Sequence, residues 1–410
     1  MMNWSPTVMS FGSDIQLIEA ALRRNLFRLA FASFMTNSTT WLYRLTTSYI
    51  VWEQTKSGIM LSLLAAAEFL PNIAMTPYAG VMADRIRLKH SSYVICGLLG
   101  ILSMAAVVVT GGLPYDKVAF SIIGITAAMS IVSAVSRPVH QKILGYVFTE
   151  QSIGQALSLN TIGLNIGRVA APIVLIGLIA QDLLWASYFL NGLSYVVIGY
   201  TTFAFEYVRE QAASVCDRST IHAAIADGLR RLKEHHALRQ LLTLAMVEAV
   251  CLSSFFELLP MLSDSYLGTG AEMFTRISIS IAVFSFIAGL LKLLSPVRLD
   301  PNKFLIVLLL AAGLIAVGLN SGSLLWAALA FGLASFLIVL VRIRIMELIH
   351  VQTPDSLKGQ ALGYYFLSTF GGGTAGAALY GALYDFGFGS YLTSIPIFVL
   401  IGFQVLWTVK

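Results

Sequence analysis

Ser91–Gly111 reads SSYVICGLLGILSMAAVVVTG, twenty-one residues without an Asp, Glu, Lys or Arg. A helix needs about 20 such residues to cross a hydrocarbon core of about 30 Å. Working outward from this stretch, eleven more of the same character fill most of the 410 residues. The twelve expected spans lie near 26–51, 58–82, 91–111, 117–136, 154–179, 183–204, 238–262, 273–295, 303–320, 323–341, 359–383 and 389–408. Hydrophobic residues make up 57% of the chain and charged residues 11%, against about 25% charged in soluble domains. The sequence therefore predicts an all-α membrane protein with the lipid bilayer as its solvent.

The net charge of +5 is a matter of sidedness. Arg23, Arg24, Arg28, Lys89, Arg137, Lys142, Arg239, Lys303, Arg342, Arg344 and Lys358 fall on one side of the expected membrane, and Lys56, Lys117 and Arg276 on the other. Positive loops stay in the cytoplasm, so both termini are expected there. The basic excess thus reports topology, and no nucleic-acid partner is expected. Cys96, Cys216 and Cys251 suggest no disulfide framework. The first 25 residues lack an apolar core followed by a small-residue cleavage site, so the first helix is expected to be retained.

The chain divides near its middle. Residues 1–25 read as a cytoplasmic segment, 26–204 and 238–410 as six-helix bundles, and 205–237 as a connector. Within the connector, Ile221, Ala224, Ile225, Leu229 and Leu232 recur at helical spacing, which suggests an amphipathic helix on the inner surface. The halves are related: GQAL at Gly154–Leu157 returns at Gly359–Leu362, 205 residues later, and both copies open a glycine-rich helix. Internally repeated helical bundles point to a transporter with its site between the repeats, near the midplane.

Ionisable residues inside spans should face the bundle interior and find partners, because a charge at the bilayer centre costs about 2.5–3.5 kcal/mol or more. Arg44, Glu68, Arg168, Glu248 and Glu257 are such residues. Arg44 with Glu68 and Arg168 with Glu248 are the expected pairs, forming a substrate or proton cavity. Glu68 or Glu248 is the expected proton carrier, and Glu257 reads as an interfacial residue near the outer end. Phe34, Trp41, Tyr43, Phe69, Phe255, Phe256, Tyr364, Tyr365 and Phe366 recur near these charges and suit a bulky, partly apolar ligand. Trp52, Trp185 and Trp326 fit an interfacial belt. Gly167, Pro172, Gly372 and Gly376 are expected packing or hinge positions. There is no phosphate loop, hydrolase signature or zinc spacing, so no enzyme, cofactor or metal site is expected.

Gly80–His90, GVMADRIRLKH, resembles the loop 2–3 motif of the major facilitator superfamily at Gly80, Asp84, Arg85 and Arg87. Ile86 replaces the motif's second glycine, and Leu88 replaces a base. The resemblance implies a twelve-helix, two-bundle fold with those four residues at an inner gate. Trp41, Thr55, Ser57 and Pro71, with Ala226–Leu241 and Pro354–Ala361, resemble the enterobactin-exporter-like branch. At Ala171-Pro172 the double glycine of the exporter signature is replaced by Leu175-Ile176. What the resemblance implies is a monomeric, proton-coupled exporter of a small molecule, such as a siderophore or amphiphilic drug, in a bacterial inner membrane. The alternatives are an importer of a siderophore, lysolipid or nutrient, and a membrane sensor or scaffold that transports nothing.

Overall fold

A computed structural model describes residues 11–85, 88–148, 153–205, 235–268, 270–294, 299–353 and 358–408. The expected amphipathic connector helix, Arg87 and Pro354–Leu357 lie outside them. Among the described residues there are helices and no strands. They are α1 Phe11–Thr55, α2 Gly58–Arg85, α3 Leu88–Gly112, α4 Tyr115–Val147, α5 Ile153–Ala180 and α6 Trp185–Ala204. The broken helix α7 (236–267) follows, then α8 Gly270–Leu294, α9 Phe304–Asn320, α10 Leu324–Gln352, α11 Lys358–Leu383 and α12 Ile395–Thr408. Each expected span falls on one of these helices. The first starts well before residue 26, and α10 runs past 341 and takes Arg342 into a helix.

By length and apolarity alone, seven of these helices qualify as membrane spans among the described residues, or eight if the sharply bent α11–α12 pair counts as one. Some of the others carry polar residues that the fold buries. Thr46 and Thr47 of α1 and Asn191 and Ser194 of α6 are at most 1% exposed, whereas Ile101, Val108, Val196 and Phe203 are at least 64% exposed. Polar groups inside and large apolar groups outside are what a lipid solvent selects. Several of the inward polar groups pair with each other. Thr39 donates to Ser194 (2.9 Å), Ser103 to Asn191 (2.9 Å), and Tyr43 bonds Thr126 (2.9 Å), tying α1, α3, α4 and α6 together.

The repeat seen in the sequence is a repeat of packing. α1 lies on α5 and α6, α2 on α4, and α3 on α4 and α6. Six helices later the pairs return: α7 on α11 and α12, α8 on α10, and α9 on α10 and α12. The two extensive contacts between halves, α2 with α11 and α5 with α8, are the same pair under that shift.

Glycines set how closely these helices approach. A Cβ on Gly167 would stand 2.7 Å from the backbone nitrogen of Ser38, so only glycine lets α5 lie this close to α1. Gly372 and Gly376 play the same part between α11 and α7, against Met246 and Ser254. Pro172 is buried within an uninterrupted α5.

Candidate functional site

The interface between the halves has a closed end and a charged middle. At the closed end, where α1 turns into α2, Trp52 Nε1 (3.0 Å) and Lys56 Nζ (2.9 Å) both donate to Asp264 Oδ2 on the last segment of α7. Lys56 takes a left-handed φ of 45° to end α1, a conformation that usually falls to glycine or asparagine. Beside it, Asp385, just past α11, accepts hydrogen bonds from Ser57 Oγ (2.6 Å), Gly58 N (2.8 Å) and Ile59 N (3.0 Å). A carboxylate of one half thereby caps the N-terminus of a helix in the other, where unpaired N–H groups and the helix dipole favour negative charge. Just below, a Cβ on Gly58 would be 2.6 Å from the Gly381 carbonyl oxygen, and Ser62 donates to the Ala377 carbonyl (2.6 Å). Phe69 stacks on Phe370 with ring centroids 5.0 Å apart, extending the α2–α11 seam toward the middle of the molecule.

The charged cluster lies next to that stack. Arg44 Nε of α1 is 2.6 Å from Glu68 Oε1 of α2, so the pair expected from sequence is present. The same guanidinium donates through Nη2 to both oxygens of Glu257, at 3.2 and 3.3 Å. Arg44 therefore joins a carboxylate of its own half to one of the other half. The side chains of Arg44, Glu68 and Glu257 are 20%, 26% and 27% exposed although their helices pack at the centre, so an accessible space opens between the halves. Trp41 and Phe69 supply aromatic faces 4.6 and 5.5 Å from the Arg44 guanidinium carbon. Arg168 of α5 lies over the same Trp41 ring at 4.8 Å.

Glu248 is placed differently from the expectation. It is fully buried, and its partner is Arg342 of α10 (Nε to Oε2, 3.0 Å), not Arg168. Ser253, which also accepts from Arg342, donates to Glu248 Oε1 at 2.6 Å. That bond spans five residues, and Ala249–Ser253 form a π turn, whose backbone hydrogen bonds also run across five residues. Two further readings change. Glu257, expected at an interface, sits against Arg44. Trp52, expected in a lipid belt, is 2% exposed and bonded across the halves, whereas Trp185 and Trp326 are exposed. Of the expected inner-gate motif, Gly80, Asp84 and Arg85 lie in the closing turns of α2, and Arg87 is outside the described residues.

An all-helical, internally repeated, inside-polar bundle with a charged cleft between its halves is the architecture of a major-facilitator transporter, and the comparisons agree. Residues 18–402 match the MFS_3 family, transmembrane secretion effector, and the chain belongs to that family. Among curated protein sequences, no relative matches. A bacterial homologue of the iron transporter ferroportin in an inward-facing state is similar in structure (TM-score 0.71, 14% identity, 94% of this chain and 98% of that one). So are the nucleoside transporter NupG (TM-score 0.68, 13% identity, 93% and 97%) and a D-xylose–proton symporter (TM-score 0.67, 12% identity, 96% and 97%). At such identities the likeness concerns the fold. The protein is a multi-pass membrane transporter of the major facilitator type.

Proposed function

We propose that this transporter exports a small molecule from a bacterial cytoplasm across the inner membrane by alternating access, driven by protons. The observation that carries the reading is Arg44, held between Glu68 of one half and Glu257 of the other in an accessible cleft. One guanidinium faces two carboxylates. The site can therefore take up a proton and still keep Arg44 paired. Protonating Glu257 leaves Arg44 with Glu68 and removes a tie between the halves; losing the proton restores the tie. Glu68 and Glu257 form the coupling site in this scheme, in place of Glu248, whose buried pair with Arg342 suits a fixed structural element.

Sidedness follows from charge. The closed end carries Lys56, Lys117 and Arg276, while the cations concentrate at the opposite end, which positive-inside placement assigns to the cytoplasm with both termini. The closed end is then the outer gate, and the cavity faces the compartment from which an exporter loads. Gly80, Asp84, Arg85 and Arg87 would form the inner gate. The six-helix units 26–204 and 238–410, joined by 205–237, would rock as bodies within one monomer. Siderophores and amphiphilic drugs fit a cleft that mixes charges with Trp41, Phe69 and Phe370.

The test compares small molecules inside and outside host cells with and without the gene, in iron-poor and iron-rich media. A compound that accumulates inside the deletion strain and vanishes from its medium is the expected result. A compound left in the medium and depleted inside would reverse the direction. Proton-coupled flux that is unchanged in both Glu68→Gln and Glu257→Gln would end the coupling scheme.

A further inference from the structure

Arg168 stands apart from the ion pairs of this cleft. Glu248 is paired with Arg342, and Arg44 lies between Glu68 and Glu257. Arg168 has no hydrogen-bond or ion-pair partner among the described residues, and its Nε is buried without an acceptor. It shares the Trp41 face with Arg44. Its neighbour Gly167 presses α5 against α1 at Asn37 and Ser38, which holds the guanidinium against the Trp41 ring.

An unpaired guanidinium within a membrane-spanning bundle is unfavourable. A fold that retains one favours an incoming anion there. Guanidinium groups bind planar oxyanions through paired N–H donors. The Trp41 face and the stack of Phe69, Phe370 and Phe366, with centroids 5.0 and 5.9 Å apart, offer flat apolar surface nearby.

We infer that Arg168 is the anion subsite of the cleft, and that the cargo is an organic anion: a carboxylate or similar oxyanion on an aromatic or apolar body that rests on Trp41. The inference depends on the proposal that the cleft is the substrate site, but its test does not depend on transport.

Purified full-length protein in detergent is titrated with 4-nitrobenzoate, whose nitroarene quenches tryptophan fluorescence, and with neutral 4-nitrobenzamide. The expected result is saturable quenching by the acid that Trp41→Phe removes. Arg168→Gln should weaken acid binding by about tenfold or more, Arg168→Lys by less, and the amide should respond to neither change. Arg168→Lys guards against loss of folding, with size-exclusion elution checked for each variant. The inference is overturned if the wild type shows no saturable binding of the acid, if acid and amide bind alike, or if Arg168→Gln binds the acid as the wild type does. Acid binding without any gene-dependent flux in cells would refute the transport proposal and leave the subsite standing. Flux confined to neutral or cationic compounds would do the reverse.

Discussion

Asp385→Ala should loosen the closed end. Three donors of the other half, Ser57 Oγ, Gly58 N and Ile59 N, converge on this one carboxylate at 2.6–3.0 Å. Losing an N-cap acceptor costs typically about 1 kcal/mol, and Asp385 is solvent-exposed, so that middle value is the appropriate one. The donors lose their acceptor only when the halves are together, so the whole effect falls on the closed state. About 1 kcal/mol corresponds to a roughly fivefold shift of the closed-to-open ratio toward open. Spin labels on cysteines introduced at Leu113 and Asn320, with the native cysteines replaced, would sit on opposite halves at this end and report the distance distribution. The open-to-closed ratio should rise about fivefold in Asp385→Ala and less in Asp385→Asn, which keeps one acceptor oxygen. A distribution identical to wild type in Asp385→Ala would show that the cap does not latch the halves and that the α2–α11 seam alone holds them.

Gly381→Val places carbon where the Gly58 carbonyl and Ser62 Oγ now lie, so the same labels should report a largely open end, and restored closure would disprove the close-approach argument. Arg342→Met strands the fully buried Glu248 and should cost about 3–5 kcal/mol in thermal unfolding, whereas adding Glu248→Leu should recover much of it. If the double variant is no more stable than the single one, the pair matters through something other than its charge. Burial works against both charges of the Lys56–Asp264 pair, but hydrogen bonds from Lys56 and Trp52 outweigh it and hold the Asp264 carboxyl below its ordinary value; bonds to Asp264 and Glu53 in the same way raise Lys56. The pair's contribution to closure is thus present above the ordinary aspartate value of about 4 and is lost as pH falls through the lower, closed-state value. Wild type should open more steeply than Asp264→Asn on acidification below about pH 4, and parallel curves would rule this out.

Helix positions, the repeat and the identity of most charged positions in the cleft were legible in the sequence because a bilayer imposes a one-dimensional rule. An apolar run of fixed length must be a helix, and a charge within it must face inward. Arg44 and Glu68 could be paired on those grounds, since their helices are consecutive. Tertiary structure alone decided that Glu257 and not Glu248 completes the cluster. The π turn after Glu248 rotates α7 by an amount that no hydropathy pattern records, placing Glu248 against Arg342 and Glu257 against Arg44. Asp385 gave no signal either. Its role exists only because two glycines, Gly58 and Gly381, from opposite halves of the chain allow backbones to touch, and a contact between residues 58 and 381 is set by packing in three dimensions.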